Sequence, residues 1–200
     1  MLKNEMGIKI KTNKPDNINR VKTSRSYCAC VGEARKGKTF YTSHQDINCS
    51  LARFNLGLEK FNKEKLNNLA STLVAWNDAE TRQKARHYLK KSHTLDYGEK
   101  YIIYFPLNQA PDIEPDIVMK IGTPQEFMPI IREVTKLKGD WTESFISGVG
   151  GMCGEATAIP LKKGKVNISL GCGGSRPHGK LAKDQLIMAL PYKIYEKLNI

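Results

Sequence analysis

Five cysteines, Cys28, Cys30, Cys49, Cys153 and Cys172, are the residues whose chemistry stands out in this chain of 200 residues. None stands in the C-x-x-C pair that marks a zinc ribbon or a ferredoxin, so their spacing alone says little. Their settings say more. Cys153 lies in Gly148-Val149-Gly150-Gly151-Met152-Cys153-Gly154, and Cys172 in Gly171-Cys172-Gly173-Gly174-Ser175-Arg176-Pro177. Glycine in such turns lets backbone amides approach a sulfur or an anion closely. Cys49 is expected in the first turn of a short helix capped by Asp46 or Asn48, where unpaired amides and the helix dipole favour thiolate. Thiolates so placed can converge on a metal, with the glycine turns supplying N–H donors around it. Inert buried thiols are the plain alternative, and the residues alone leave the two readings open. The bare sequence does not exclude zinc on four thiolates either.

Two segments have the composition of anion sites. Gly32-Glu33-Ala34-Arg35-Lys36-Gly37-Lys38-Thr39 matches the phosphate-loop pattern G-x-x-x-x-G-K-[ST], in which loop amides cradle phosphates and threonine meets magnesium. That pattern needs a strand before it and a helix starting at its Lys-Thr. Here Phe40-Tyr41-Thr42 continues with strand propensity, and Asp116 precedes its strand where a magnesium-binding aspartate would close one. Nucleotide hydrolysis is therefore not expected. Gly173-Gly174-Ser175-Arg176 gathers free amides, a hydroxyl and a guanidinium in one turn, which suits a carboxylate or phosphate beside Cys172. A tight turn whose arginine pairs locally is the bland counterpart.

The elements that must position these residues follow from periodicity. Gly7 to Lys11 alternates as a half-buried strand, Cys28 to Ala34 reads as a helix stopped by Gly37, and Thr39 to Thr42 as a strand. The short helix of Cys49 runs to Leu56 and ends at Gly57. Leu66, Leu69, Ala70, Leu73 and Val74 share one helical face. A break at Asn77-Asp78 then leads to a second helix carrying Arg82, Lys84, Arg86, Lys90 and Lys91. Tyr101 to Phe105 and Ile117 to Ile121 are strands joined by a turn at Ala110-Pro111-Asp112, and Thr123-Pro124 caps and opens a helix striped by Phe127, Ile130, Ile131 and Val134. The glycine-rich stretch Gly148 to Ala156 leading into a helix to Pro160, strands at Val166 to Leu170 and Gln185 to Leu190, and a terminal helix from Tyr192 to Leu198 complete an α+β pattern. The expectation is one domain over 1–200, with a small mixed sheet flanked by helices.

Composition bounds the partners. Hydrophobic residues make up 40% and charged residues 26%, and no run approaches the roughly 18 apolar residues of a membrane span. Met1 to Met6 lacks the apolar region of a secretory signal, which points to the cytoplasm and to cysteines that are not disulfides. The glycosylation-like tripeptides at Asn48 and Asn167 carry no weight there. A formal charge of +12 permits attraction to acidic proteins or to nucleic acid, with Arg82, Lys84, Arg86 and Lys90 as the docking helix. The lysines are spread along the chain, which favours a solvated basic surface over a nucleic-acid site.

Taken together, several motifs resemble one family. They are Tyr27-Cys28 followed by Ala34-Arg35-Lys36-Gly37-Lys38, Cys49 before Leu56-Gly57, Pro115-Asp116-Ile117-Val118, and Gly171-Cys172-Gly173-Gly174-Ser175-Arg176. The resemblance is to the archaeal and bacterial domain of unknown function 169, and it runs from Ile8 to the stretch Asp184 to Pro191. It implies a ligand set of Cys28, Cys49, Cys153 and Cys172, with Cys30 an extra, of the kind that suits a four-iron, four-sulfur cluster in anaerobes. Gly151, Gly173, Gly174 and Arg176 would then tune the cluster by charge and hydrogen bonds. The role expected is electron transfer, cluster delivery or support of a larger redox or assembly partner. An enzyme in which three cysteines leave an open iron facing a small carboxylate held by Arg176 is the alternative. Two departures stand out: Gly32, which completes the phosphate-loop match, and Ser50, where the family often has proline.

Overall fold

The computed structural model describes residues 5–22, 25–110 and 112–200. Its centre is a six-stranded antiparallel sheet in the order β2-β3-β1-β4-β6-β5, formed by β1 (Glu5–Lys11), β2 (Phe40–Ser43), β3 (Tyr101–Pro106), β4 (Ile117–Gly122), β5 (Asn167–Ser169) and β6 (Leu186–Pro191). The sheet expected to be mixed is thus antiparallel throughout. Pro111 of the expected turn lies outside the described residues.

Alternation along the strands sends side chains to two covered faces. Met6, Ile8, Ile102, Tyr104, Ile117, Met119, Ile121, Ile187 and Ala189 face one core, which also takes in Cys28, Cys30, Met152 and Cys153. Helix α1 (Tyr27–Arg35), α2 (Ser50–Asn55) and a π-helix (Gly151–Ala158) supply this core's outer layer. Met188 and Leu190 face the opposite side, under α5 (Pro124–Lys138). There Thr123 closes the expected capping box with Glu126, with Pro124 opening the helix. The helices α3 (Lys63–Ala75) and α4 (Arg82–Lys91) pack as a pair whose Leu69, Ala70, Leu73, Ala85 and Leu89 meet Leu51 and Val149. The expected break falls at Asn77, whose left-handed φ of 61° turns the chain after α3, and the cap of α4 is Thr81, whose side chain accepts from the Lys84 amide.

The phosphate-loop pattern is built back to front. Gly32 to Arg35 close α1, Gly37 turns the chain at φ 96°, and Thr39 leads into β2. The order is helix then strand, and Glu33 holds both Lys36 (2.7 Å) and Lys38 (2.5 Å). No phosphate cradle forms. The remaining helices are short: α6 (Ile159–Lys163) continues the π-helix, α7 (Ser175–His178) follows Cys172, and α8 (Tyr192–Tyr195) is shorter than the terminal helix expected. Among the described residues no helix is long and apolar enough to cross a membrane.

The loop that delivers Cys49 is clamped by Asp46. Its carboxylate accepts from the Ser43 amide (2.7 Å), the Ser43 hydroxyl (2.9 Å) and Arg20 (3.1 Å). Burial works against the charged form, but Arg20 and Ser43 outweigh it and hold the carboxyl below its ordinary range. A depressed folded pKa gives stability that is present above the unfolded value and lost as pH falls through the folded one. Wild type is therefore expected to lose its thermal-stability advantage over Asp46→Asn below about pH 4. Melting curves of the pair across that range check this.

Candidate functional site

Four separate segments bring Cys28, Cys49, Cys153 and Cys172 into one neighbourhood. Cys28 stands in the first turn of α1, whose N-cap Ser26 accepts from the Ala29 amide. Cys49 is itself the N-cap of α2, one position earlier than expected. Its sulfur closes no bond of cap geometry, and burial pushes its thiol up despite the opposing Ala52 and Leu51 amides, so the helix start does not by itself yield the thiolate expected there. Cys153 sits inside the π-helix. Cys172 immediately follows Gly171, whose φ of 81° turns the chain out of β5.

All six pairings among these four sulfurs are felt electrostatically. Cys28 senses Cys172, Cys153 and Cys49; Cys153 senses Cys49 and Cys172; and Cys49 senses Cys172. Cys28 and Cys172 are hydrogen-bonded, the Cys28 thiol donating to the Cys172 sulfur. That contact pushes Cys28 up and Cys172 well down. Cys172 is the thiolate of the pair because its sulfur also accepts from the Ser175 amide (3.3 Å) and from the Gly151 amide. Burial pushes Cys153 up, opposed by the Asn55 amide, which donates to its sulfur at 3.5 Å. Cys30 is elsewhere. Its sulfur takes the Tyr104 hydroxyl against the sheet, and burial pushes its pKa up to about 12.

The backbone is shaped for this approach. A Cβ on Gly151 would lie 2.7 Å from Cα and C of Gly171 and 2.9 Å from the Cys172 nitrogen, so only glycine lets the π-helix reach the Cys172 turn. Gly150 and Gly154 leave the slot for Asn55, whose Nδ2 would be 2.7 and 2.9 Å from a Cβ on each. The π-helix shows its wide turn at Gly150, whose carbonyl accepts from both Gly154 (2.7 Å) and Glu155 (3.1 Å). Such wide turns recur at functional sites.

Glu155, missed by sequence reasoning, anchors this segment. One of its carboxylate oxygens accepts from the Ser147 amide (2.6 Å), the Ser147 hydroxyl (2.7 Å) and the Gly148 amide (2.9 Å), and the other from Ser169 (2.5 Å). Tyr27 and Thr157 tie α1 to the π-helix through a hydroxyl pair at 2.9 Å.

Arg176, Gly173 and Gly174 lie beside Cys172, but the guanidinium is committed to the backbone. It donates to the carbonyls of Leu170 (2.9 Å), Ala182 (3.1 Å) and Gln185 (3.4 Å), an arrangement that fixes the turn. Gly173 and Gly174 face open space. Cys49 and Cys172 form the partly exposed edge of the site, and Cys28 and Cys153 its floor. Asp78 lies near that edge, its carboxyl raised by burial and by Cys172.

The donor set suits a thiolate-bound group: soft sulfurs with amide donors aimed at them, and the Asp78 carboxyl near the edge of Cys172. Among the described residues no three Cys, His, Asp or Glu side chains stand close enough to chelate one ion as they are. A single tetrahedral zinc would need its sulfurs about 3.8 Å apart, from Zn–S bonds of about 2.3 Å. A four-iron cube takes one thiolate per iron, so its ligands ring a larger object.

The profile of the domain of unknown function 169 family, described as uncharacterised ArCR, matches residues 3–199. The uncharacterized protein MJ0308 of Methanocaldococcus jannaschii is 24% identical over 180 residues, which is 88% of this chain and 76% of that relative. No solved structure matches.

Proposed function

The chain belongs to the domain of unknown function 169 family, and from that premise we propose that it binds a four-iron, four-sulfur cluster on Cys28, Cys49, Cys153 and Cys172. What supports the reading is the mutual coupling of four thiols drawn from four segments, ringed by amide donors, with Cys30 turned away. When bound, the cluster supplies one-electron redox chemistry. The chain's own residues orient the thiolates, donate hydrogen bonds to them and keep water from the floor formed by Cys28 and Cys153. The protein serves electron transfer, cluster delivery or an accessory role in anaerobic metabolism. Its partner is a redox or assembly protein, met in a reducing cytoplasm through the edge of Cys49 and Cys172.

Protein purified without oxygen is expected to be brown, with a broad visible absorbance bleached by dithionite. A colourless protein that cannot be reconstituted with iron and sulfide overturns the reading, as does one that carries zinc alone.

Asn55 gives a finer check. Hydrogen bonds to ligand sulfurs stabilise the reduced, more negative cluster and so raise its potential. Asn55→Leu keeps the bulk and removes the donor, so the midpoint potential is expected to fall while iron content holds. An unchanged potential, read by redox titration, would take Asn55 out of that role.

A further inference from the structure

A concavity of about 430 Å³ lies along α1, and its walls come from the segments that carry three of the four cysteines. Arg25 and Ser26 precede Cys28, Asn48 precedes Cys49, and His178 and Lys180 follow Cys172 through α7. Lys36, from the misleading phosphate-loop pattern, closes one side. We propose that this concavity is a binding site for a small anion bearing phosphate or carboxylate groups.

Charge is the first argument. The one acid in the wall, Glu33, already holds Lys36 and Lys38. Among the described residues, no carboxylate pairs with Arg25, His178 or Lys180. Counting Arg25, Lys36 and Lys180 against Glu33, the wall carries a formal net charge of about +2 from these four residues. Unlike the guanidinium of Arg176, the side chains of Arg25 and Lys180 are not taken up by backbone carbonyls among the described residues.

Rigidity is the second. Arg25 is fixed by backbone bonds on both sides, its amide to Asp46 (3.2 Å) and its carbonyl from Asn48 (3.0 Å). His178 is pressed against α1, where a Cβ on Gly32 would stand 3.0 Å from its carbonyl oxygen. Arg35 donates to the Lys180 carbonyl at 3.0 Å. Lys180 itself holds φ at 56°, a left-handed conformation that costs a side-chain-bearing residue free energy and that glycine or asparagine would adopt more cheaply. A strained lysine on the rim of a cationic concavity is the kind of outlier that points to a ligand. The concavity lies within the size range of small-molecule sites, and three residues with anchored backbones, Arg25, His178 and Lys180, suit one small anion better than a protein surface.

The test is titration calorimetry at low ionic strength with pyrophosphate and, separately, citrate, on wild type, Arg25→Gln, Lys180→Gly and Lys91→Gln. Saturable one-to-one binding of either anion is expected, weakened about tenfold by Arg25→Gln and by Lys180→Gly and unchanged by Lys91→Gln, since charge-assisted contacts are local. Lys180→Gly relieves the strained backbone, so lost binding there cannot be assigned to misfolding. The proposal is overturned if neither anion binds. It is equally overturned if Lys91→Gln, which removes the same charge from α4, weakens binding as much as the two site variants do. The titration does not depend on the metal content, so its outcome is separate from that of the cluster reading.

Discussion

Alanine at Cys28, Cys49, Cys153 or Cys172 is expected to leave a colourless protein with little bound iron, whereas Cys30→Ala keeps its iron and its colour. Each of the four thiolates would serve its own iron, so loss of one removes a ligand that its neighbours cannot replace. Loss of an outer-shell partner typically costs roughly 10–100-fold in metal affinity, and loss of a ligand is expected to exceed that. Cys30 cannot step in, because it lies against Tyr104 on the sheet side of α1. Its removal should cost only the roughly 0.5–3 kcal/mol of an ordinary buried substitution. Iron analysis of the five variants beside far-UV circular dichroism checks the pattern. Retention of iron by a folded Cys172→Ala would contradict a four-cysteine ligand set.

The second large effect concerns glycine. Gly151→Ala sets a methyl group against three backbone atoms of Gly171 and Cys172, none of which can rotate away. Overpacking of this kind costs about 1–3 kcal/mol, and here the relaxation also carries the Gly151 amide away from the Cys172 sulfur. The variant is expected to melt lower and to lose iron. Gly173→Ala, with nothing within 4 Å of the added carbon, should behave as wild type. Thermal melts and iron content of the two, measured side by side, test whether close backbone approach is what the glycine-rich turn provides.

Much of the scaffold could be read from the chain because local signals agreed with the fold. Thr123-Pro124 marked the start of α5, Gly37 the end of α1, and the short, mostly apolar runs of β4 and β6 their burial on both faces. The separation of Cys28 from Cys30 also had a local signal, since two positions along a helix turn about 200°. The π-helix did not. Gly151 to Ala158 carries no periodicity of its own, and its wide turn accompanies contacts of Glu155 with Ser147, Gly148 and Ser169 and of Gly151 with Gly171. Asn55 left a fainter trace, a polar residue on the face that Leu51 and Ala52 bury. Arg176 reads from the sequence either as an anion ligand or as the local partner within a tight turn, and its guanidinium does pair locally, with backbone carbonyls, which every residue carries and no motif marks.

The most direct test of the account is the amount of iron and acid-labile sulfide in wild-type protein purified strictly without oxygen. Roughly four of each per chain are expected, as a four-cysteine cubane requires. Protein that is folded, holds neither and takes up neither on anaerobic reconstitution would contradict the cluster and leave the four cysteines as a buried thiol cluster.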